Sequence, residues 1–202
     1  MNFNLPFNWF DVLTVVLLFV GIQCGRKHGL SVELLKTLMW ISIAAICGLA
    51  YAPVGSILAQ KSVFSLLSGY LMAYVAIAGL VAIAFVYVKR ALGGKLIGSD
   101  TFGGSEFYLG MLAGMIRFAC ILISVLALLN ARYYNPAEIR AKQKFQSEVY
   151  GSNFFPELYE IQAQVFEKSL LGPVFRNQLG FLLIKPTAPE VKEFKQREYA
   201  TP

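Results

Sequence analysis

The chain has 202 residues, of which 56% are hydrophobic and only 15% charged, with a mean hydropathy of +0.57. A soluble domain carries about 25% charged residues, so this composition belongs to a membrane protein whose first partner is the lipid bilayer. The formal net charge of +6 includes no basic run interleaved with aromatics, which excludes a nucleic-acid surface.

The leader Met1-Asn-Phe-Asn-Leu-Pro-Phe-Asn-Trp9 has no basic n-region, and no small-residue cleavage site follows. The first apolar segment is therefore expected to stay as an anchor. The patterning predicts an all-α integral membrane bundle of four transmembrane helices over residues 1–131, followed by a helical, partly disordered extra-membrane tail.

Segment one covers about 9–24, short enough that it stands nearly upright or thins the bilayer locally. Phe7, Trp9 and Phe10 supply interfacial aromatics, and Asp11 lies just inside. Arg26, Lys27 and His28 follow in an expected loop, where a lone histidine reads as a solvated residue. Segment two covers about 32–52, carries Glu33 at its start and is expected to stop at Pro53-Val-Gly55. Segment three covers about 64–88 and stops at Lys89-Arg90. Segment four, about 108–129, holds Arg117. Each is apolar around its whole circumference, as helices in lipid are.

The bases gather in the loop after segment one and in the loop after segment three (Lys89, Arg90, Lys95), whereas the short loop between two and three has only Lys61. The positive-inside bias puts the two basic loops in the cytoplasm. Both termini then face outside, into the periplasm of a bacterium. Small residues recur at helical spacing: Ala44, Gly48 and Ala52; Gly69 and Ala73; Gly110 and Gly114. Such stripes let helices approach closely in lipid. They serve one compact bundle, a homo-oligomer, or a membrane or periplasmic protein partner.

After Ala131 the composition turns soluble, with eight acids and ten bases. The tail over 132–184 is expected to be helical. Pro136 opens a polar helix to about Tyr150, and Phe154-Phe-Pro156 opens another. On that second helix Phe155, Leu158, Tyr159, Val165, Phe166 and Leu170 share a face that should pack on the bundle or on a partner. Gly172-Pro173 is expected to break the chain. Residues 174–184 are too short to span and should lie at the interface. Residues 185–202 read as a disordered end.

Catalytic chemistry finds no constellation. The single histidine rules out the usual nucleophile–base pairs. No His/Cys/Asp/Glu cluster has metal-ligand spacing. Cys24, Cys47 and Cys120 lie in or beside apolar segments without CxxC spacing, and read as small hydrophobes. Neither enzyme activity nor a cofactor is expected. What stands out is ionic. Arg117 lies roughly 14 Å along the helix from Tyr108, near the middle of a ~30 Å hydrocarbon core. A guanidinium there costs about 2.5–3.5 kcal/mol unless it snorkels, meets water or finds a partner. Glu33 and Glu106 are its candidate partners. The pair would fix helix register, or Arg117 would line a polar path in a small channel or transporter subunit.

Two of these motifs resemble a known family. Gly25-Arg-Lys-His-Gly29-Leu-Ser-Val-Glu33-Leu-Leu is similar to the Gly-x-x-x-Gly-x-x-x-Glu-Leu-Leu pattern after the first span of the colicin V production protein family. Asp11 after the leading aromatics is similar too. Gly110-Met-Leu-Ala-Gly114-Met-Ile-Arg117 resembles that family's Gly-x-x-x-Gly-x-x-Arg-Gly opening of the last span. Two positions depart from it: Phe107 replaces the arginine of an Asp-Arg pair, and Phe118 replaces the final glycine. The resemblance covers roughly 9–160. It implies a multi-pass bacterial inner-membrane protein supporting toxin production and secretion, or envelope homeostasis, with no enzyme activity.

Overall fold

The computed structural model describes residues 7–61, 65–92, 105–150 and 157–188. These are built from α1 (Trp9–Lys61), α2 (Leu66–Leu92), α3 (Glu106–Asn130), α4 (Pro136–Tyr150), α5 (Leu158–Phe166), α6 (Leu171–Gln178) and a 3-10 turn at Gly180–Leu182. Among the described residues three helices, α1, α2 and α3, are long and apolar enough to cross a membrane.

α1 has 53 residues, about 80 Å of helix if straight. It is not straight. Gly29 sits at φ 70°, ψ 171°, a conformation open to glycine and closed to residues with a Cβ. The expected loop over 25–31 is thus a single-residue corner, with helix on both sides. Contacts with α3 show that the chain reverses there. On the first arm, Gly25 meets Gly110 and Gly21 meets Gly114, in opposing order. On the second, Ser31 bonds Glu106 and Thr37 bonds the Ala113 carbonyl, in matching order. α3 therefore runs antiparallel to one arm and parallel to the other, wedged against both.

The second arm does not stop at Pro53, as the sequence suggested, but continues to Lys61. A proline inside a helix forfeits one hydrogen bond, and here packing overrides it. Gly55 lies against Gly69 and Tyr70 of α2, and the Tyr51 and Tyr70 rings meet edge to face at 5.4 Å. α2 returns antiparallel along this arm, as the Cys47 Sγ contact to the Tyr74 carbonyl at 3.6 Å shows. Leu49, Val15, Val75, Leu80 and Val125 are exposed, an apolar outer surface suited to lipid.

The buried core lies toward the end remote from Gly29. Phe10, Ile43, Cys47, Tyr51, Leu122 and Leu126 pack there with Val165, Phe166, Leu183 and Ile184 of the tail. The tail therefore packs on the bundle. Of the face expected on its second helix, Tyr159, Val165 and Phe166 are buried, whereas Leu158 and Leu170 are exposed and Phe155 is outside the described residues. The helix is shorter than expected because α5 ends at Phe166, before a tight corner. There Ser169 Oγ donates to the Val165 carbonyl at 2.6 Å and accepts from Gly172 N at 2.8 Å. A Cβ on Gly172 would lie 1.7 Å from the Val165 oxygen. Gly172-Pro173, expected as a break, opens α6, since proline is tolerated in a first turn.

Residues 180–184 lie on the second arm, with Leu182 over Gly48. Lys185 N donates to Tyr51 Oη at 3.0 Å. Thr187 then exchanges backbone bonds with Ala131 and Tyr133, forming a parallel bridge with Arg132. The end expected to be disordered from residue 185 is thus held as far as this bridge; 189–202 lie outside the described residues.

Candidate functional site, a buried ion pair beside a glycine crossing

The corner at Gly29 brings the first and second arms to the same stretch of α3. Close approach there depends on glycine. A Cβ on Gly25 would fall 1.9 Å from the Gly110 oxygen, and one on Gly114 would fall 2.2 Å from the Gly21 oxygen. Backbones this near each other leave no room for side chains between them. The charged groups are accordingly displaced to the flank of the crossing, where the second arm meets α3.

Glu33 is there, with its side chain 0% exposed. Arg117 is its close partner: Nη1 stands 2.8 Å from Glu33 Oε2. Of the two acids considered for Arg117, the geometry selects Glu33. The arginine N–H does not point along a hydrogen-bond direction, since Glu33 Oε2 and Arg117 Nε both lack a hydrogen-bond partner of proper geometry. Charge and proximity hold the pair, not a two-pronged fork. The guanidinium also lies over the Phe118 ring, 4.9 Å from its centre.

The other carboxylate oxygen, Oε1, faces two further nitrogens. Lys36 Nζ is 3.3 Å away and His28 Nδ1 is 3.4 Å away. His28 Nδ1 is also 2.8 Å from the Cys24 carbonyl. A carbonyl only accepts, so this nitrogen carries the proton. His28, expected as a merely solvated loop residue, is half-exposed yet reaches a buried acid.

Glu106 has a different task. Its Oε1 accepts from Ser31 N at 3.2 Å. That N–H is in the first turn after Gly29, where helix donors have no internal partner. Glu106 thus caps the second arm at the corner. Thr37, four residues beyond Glu33, donates to the Ala113 carbonyl at 3.0 Å and ties the same face to α3.

Gly25, Gly29, Glu33, Glu106, Gly110, Gly114 and Arg117 therefore meet in one place. Asp11 does not join them. It is buried at the opposite end of the first arm, where Oδ2 accepts from Asn8 N at 2.9 Å and Leu170 N at 3.1 Å. Oδ1 accepts from Leu171 N at 3.0 Å. Asp11 thus caps α6 across some 160 positions of sequence. Beside it, Asn8 Nδ2 donates to the Gln164 carbonyl at 3.1 Å and Trp9 Nε1 donates to the Gln164 side chain.

Ser31, Thr37 and His28 were missed as contributors. Thr37 had a readable signal, since it shares the helix face of Glu33. Ser31 had none, because its role is carried by its backbone N–H. The cluster offers a fixed buried charge with flanking bases. Among the described residues no group of three or more His, Cys, Asp or Glu could hold a metal ion.

No family model matches the chain, and neither a curated protein nor a solved structure matches it.

Proposed function

We propose that this chain is a non-enzymatic multi-pass membrane protein that works through helix contacts and its folded tail. In this reading the two arms of α1 are separate spans, which with α2 and α3 makes four. Residues 9–28 provide about 30 Å of helix, the thickness of a hydrocarbon core. Arg26 and Lys27 lie near the corner, and Lys89 and Arg90 lie in the last turn of α2. With both on the cytoplasmic side, the termini and the tail face the periplasm. The motif resemblance to the colicin V production family then suggests the role: support of toxin production and secretion, or of envelope homeostasis, at the bacterial inner membrane.

The observation that carries this reading is the fully buried Glu33 held by Arg117 beside the glycine crossing. An arrangement that locks helices suits a scaffold whose partners are other membrane or periplasmic proteins, or further copies of itself. Deletion of the gene should impair toxin release or sensitise the envelope to detergent, and wild-type protein should restore it. A deletion strain normal in both respects would sink the proposal.

A channel or transporter subunit is the second reading. It is favoured by His28 and Lys36, both partly exposed, which lead from the corner to the buried Glu33 carboxylate. Ion flux in reconstituted liposomes that disappears in folded Arg117→Ala protein would favour it over the scaffold.

A further inference from the structure

The stretch from Leu170 to Leu182, which holds α6 and the 3-10 turn, is tied down at both ends. At its start, the N–H groups of Leu170 and Leu171 donate to Asp11 on the first arm. At its end, Leu182 lies over Gly48 on the second arm. Asp11 stands 18 residues before Gly29, and Gly48 stands 19 residues after it. Both anchors are therefore about 27–29 Å of helix from the corner, close to the ~30 Å thickness of a hydrocarbon core. Two anchors at one height hold the stretch along the bilayer plane. It crosses from arm to arm at the edge of the hydrocarbon, where a segment of the tail would otherwise rise into water.

The side chains suit that height. Leu183 and Ile184, which follow the turn, are buried in the core. Leu170, Val174 and Phe181 point the other way and are 42%, 50% and 64% exposed. On the second arm, Ile46 and Leu49 flank the Gly48 anchor and are exposed too. The apolar outer surface of the spans and these three side chains thus meet at one level.

The charge pattern agrees. From Lys168 to Ala188 the chain has three bases, Lys168, Arg176 and Lys185, and no acid. Lys185 N donates to Tyr51 Oη, nearly one turn past Gly48 and so toward the headgroups. Helices that lie in a membrane interface combine apolar side chains on one face with lysine and arginine on the other, and sink the apolar face about 5–10 Å.

We propose that α6 and the 3-10 turn lie in the interface of the leaflet on the tail's side. Leu170, Val174 and Phe181 enter the boundary of the acyl chains, and Lys185 faces the headgroups. The partner of this surface is the lipid itself, so the tail is seated on the bilayer as well as on the bundle. The inference rests on the reading of the two arms of α1 as separate spans.

The test uses the full chain in phosphatidylcholine nanodiscs, with Cys24→Ala and Cys120→Ala and the buried Cys47 kept. Single nitroxide labels go on Val174→Cys, Phe181→Cys, Val15→Cys and Ser147→Cys, all at exposed positions. A thermal midpoint near that of the unlabelled protein shows that each is folded. Depth is read from collisions with oxygen, which concentrates in hydrocarbon, relative to a water-soluble nickel chelate. The oxygen-to-nickel ratio at 174 and 181 should lie several-fold above that at 147 in α4, and below that at 15, in the middle of the first arm. A water-like ratio at 174 or 181, with position 15 deep in the bilayer, overturns the proposal and leaves the spans standing. A ratio at 174 and 181 equal to that at 15 overturns it as well. A water-like ratio at 15 overturns the span reading, and the proposal falls with it.

Discussion

Glu33 stripped of Arg117 would be a carboxylate taken out of water with its strongest counter-charge gone. Removing one member of such a pair costs about 3–5 kcal/mol, whereas removing both together costs much less. Arg117→Met and Glu33→Gln should each lower the thermal midpoint in detergent and reduce accumulation, with Arg117→Met the worse. The double variant should recover most of the loss. Losses that simply add would mean that the two residues are not coupled. The glycines make a second test at this scale. Gly25→Ala places a methyl 1.9 Å from a backbone oxygen, whereas Gly79→Ala meets nothing within 4 Å. Alanine is the better helix former by about 0.8–1.0 kcal/mol. Gly79→Ala should therefore be neutral or stabilising, and Gly25→Ala should destabilise clearly. Equal midpoints for the two would contradict the crossing.

Among the helices, the least expected connection is the one that Asp11 makes between the start of α1 and the start of α6. The N-cap residue of α6, Leu170, offers no side-chain cap; Ser169 Oγ meets the Gly172 N–H, but the N–H groups of Leu170 and Leu171 depend on this distant carboxylate. Asp11→Ala should cost about 0.5–2 kcal/mol, as the loss of a cap does. Amide exchange at Leu170 and Leu171 should rise, with little change at Ser31. Asp11→Asn keeps an acceptor and should lose less. Unchanged exchange at α6 in the alanine variant would remove the cap from the account. α5 carries a pH-dependent element as well. Burial pushes the Tyr159 phenol above its usual range; its bond from Gln143 opposes this, and Glu160 adds to the rise. The folded pKa then exceeds the unfolded value of about 10. The stabilisation is complete below that value and fades as pH rises through the folded pKa. In an alkaline titration the phenolate absorbance of Tyr159, isolated by subtracting a Tyr159→Phe variant, should appear at higher pH than that of a free tyrosine, about 10. Ionisation at the free value would contradict the burial.

Among the described residues, the hairpin of α1 and the returning α2 and α3 put the start of α1 and the tail at one end. The Asp11, Gln164 and Tyr51 contacts hold them together there. In the proposed four-span orientation that end is periplasmic. An alkaline phosphatase fused at the C-terminus should then be active, and a fluorescent protein fused at the same point should stay dark. A bright fluorescent fusion would invert the orientation.

Much of this architecture was legible because lipid enforces simple rules. A span must be long, apolar and helical, so α2 and α3 could be read within a few residues of their ends. Local signals also marked Gly110, Gly114 and Arg117 as one face. The stop expected at Pro53 failed because it rested on a local preference, whereas packing of Gly55 on Gly69 and Tyr70 is a tertiary term that outweighs it. The loop expected after residue 24 failed because one glycine at positive φ reverses a chain as well as a loop does. Composition and periodicity alone determined the membrane class, the helical content and the isolation of one costly arginine, since each depends on transfer to lipid residue by residue. Only the tertiary structure decided that Arg117 meets Glu33, that Glu106 caps a helix and that Asp11 belongs to the tail. Those choices depend on which helices touch and at what register, and contacts up to 160 positions apart leave no mark in local sequence.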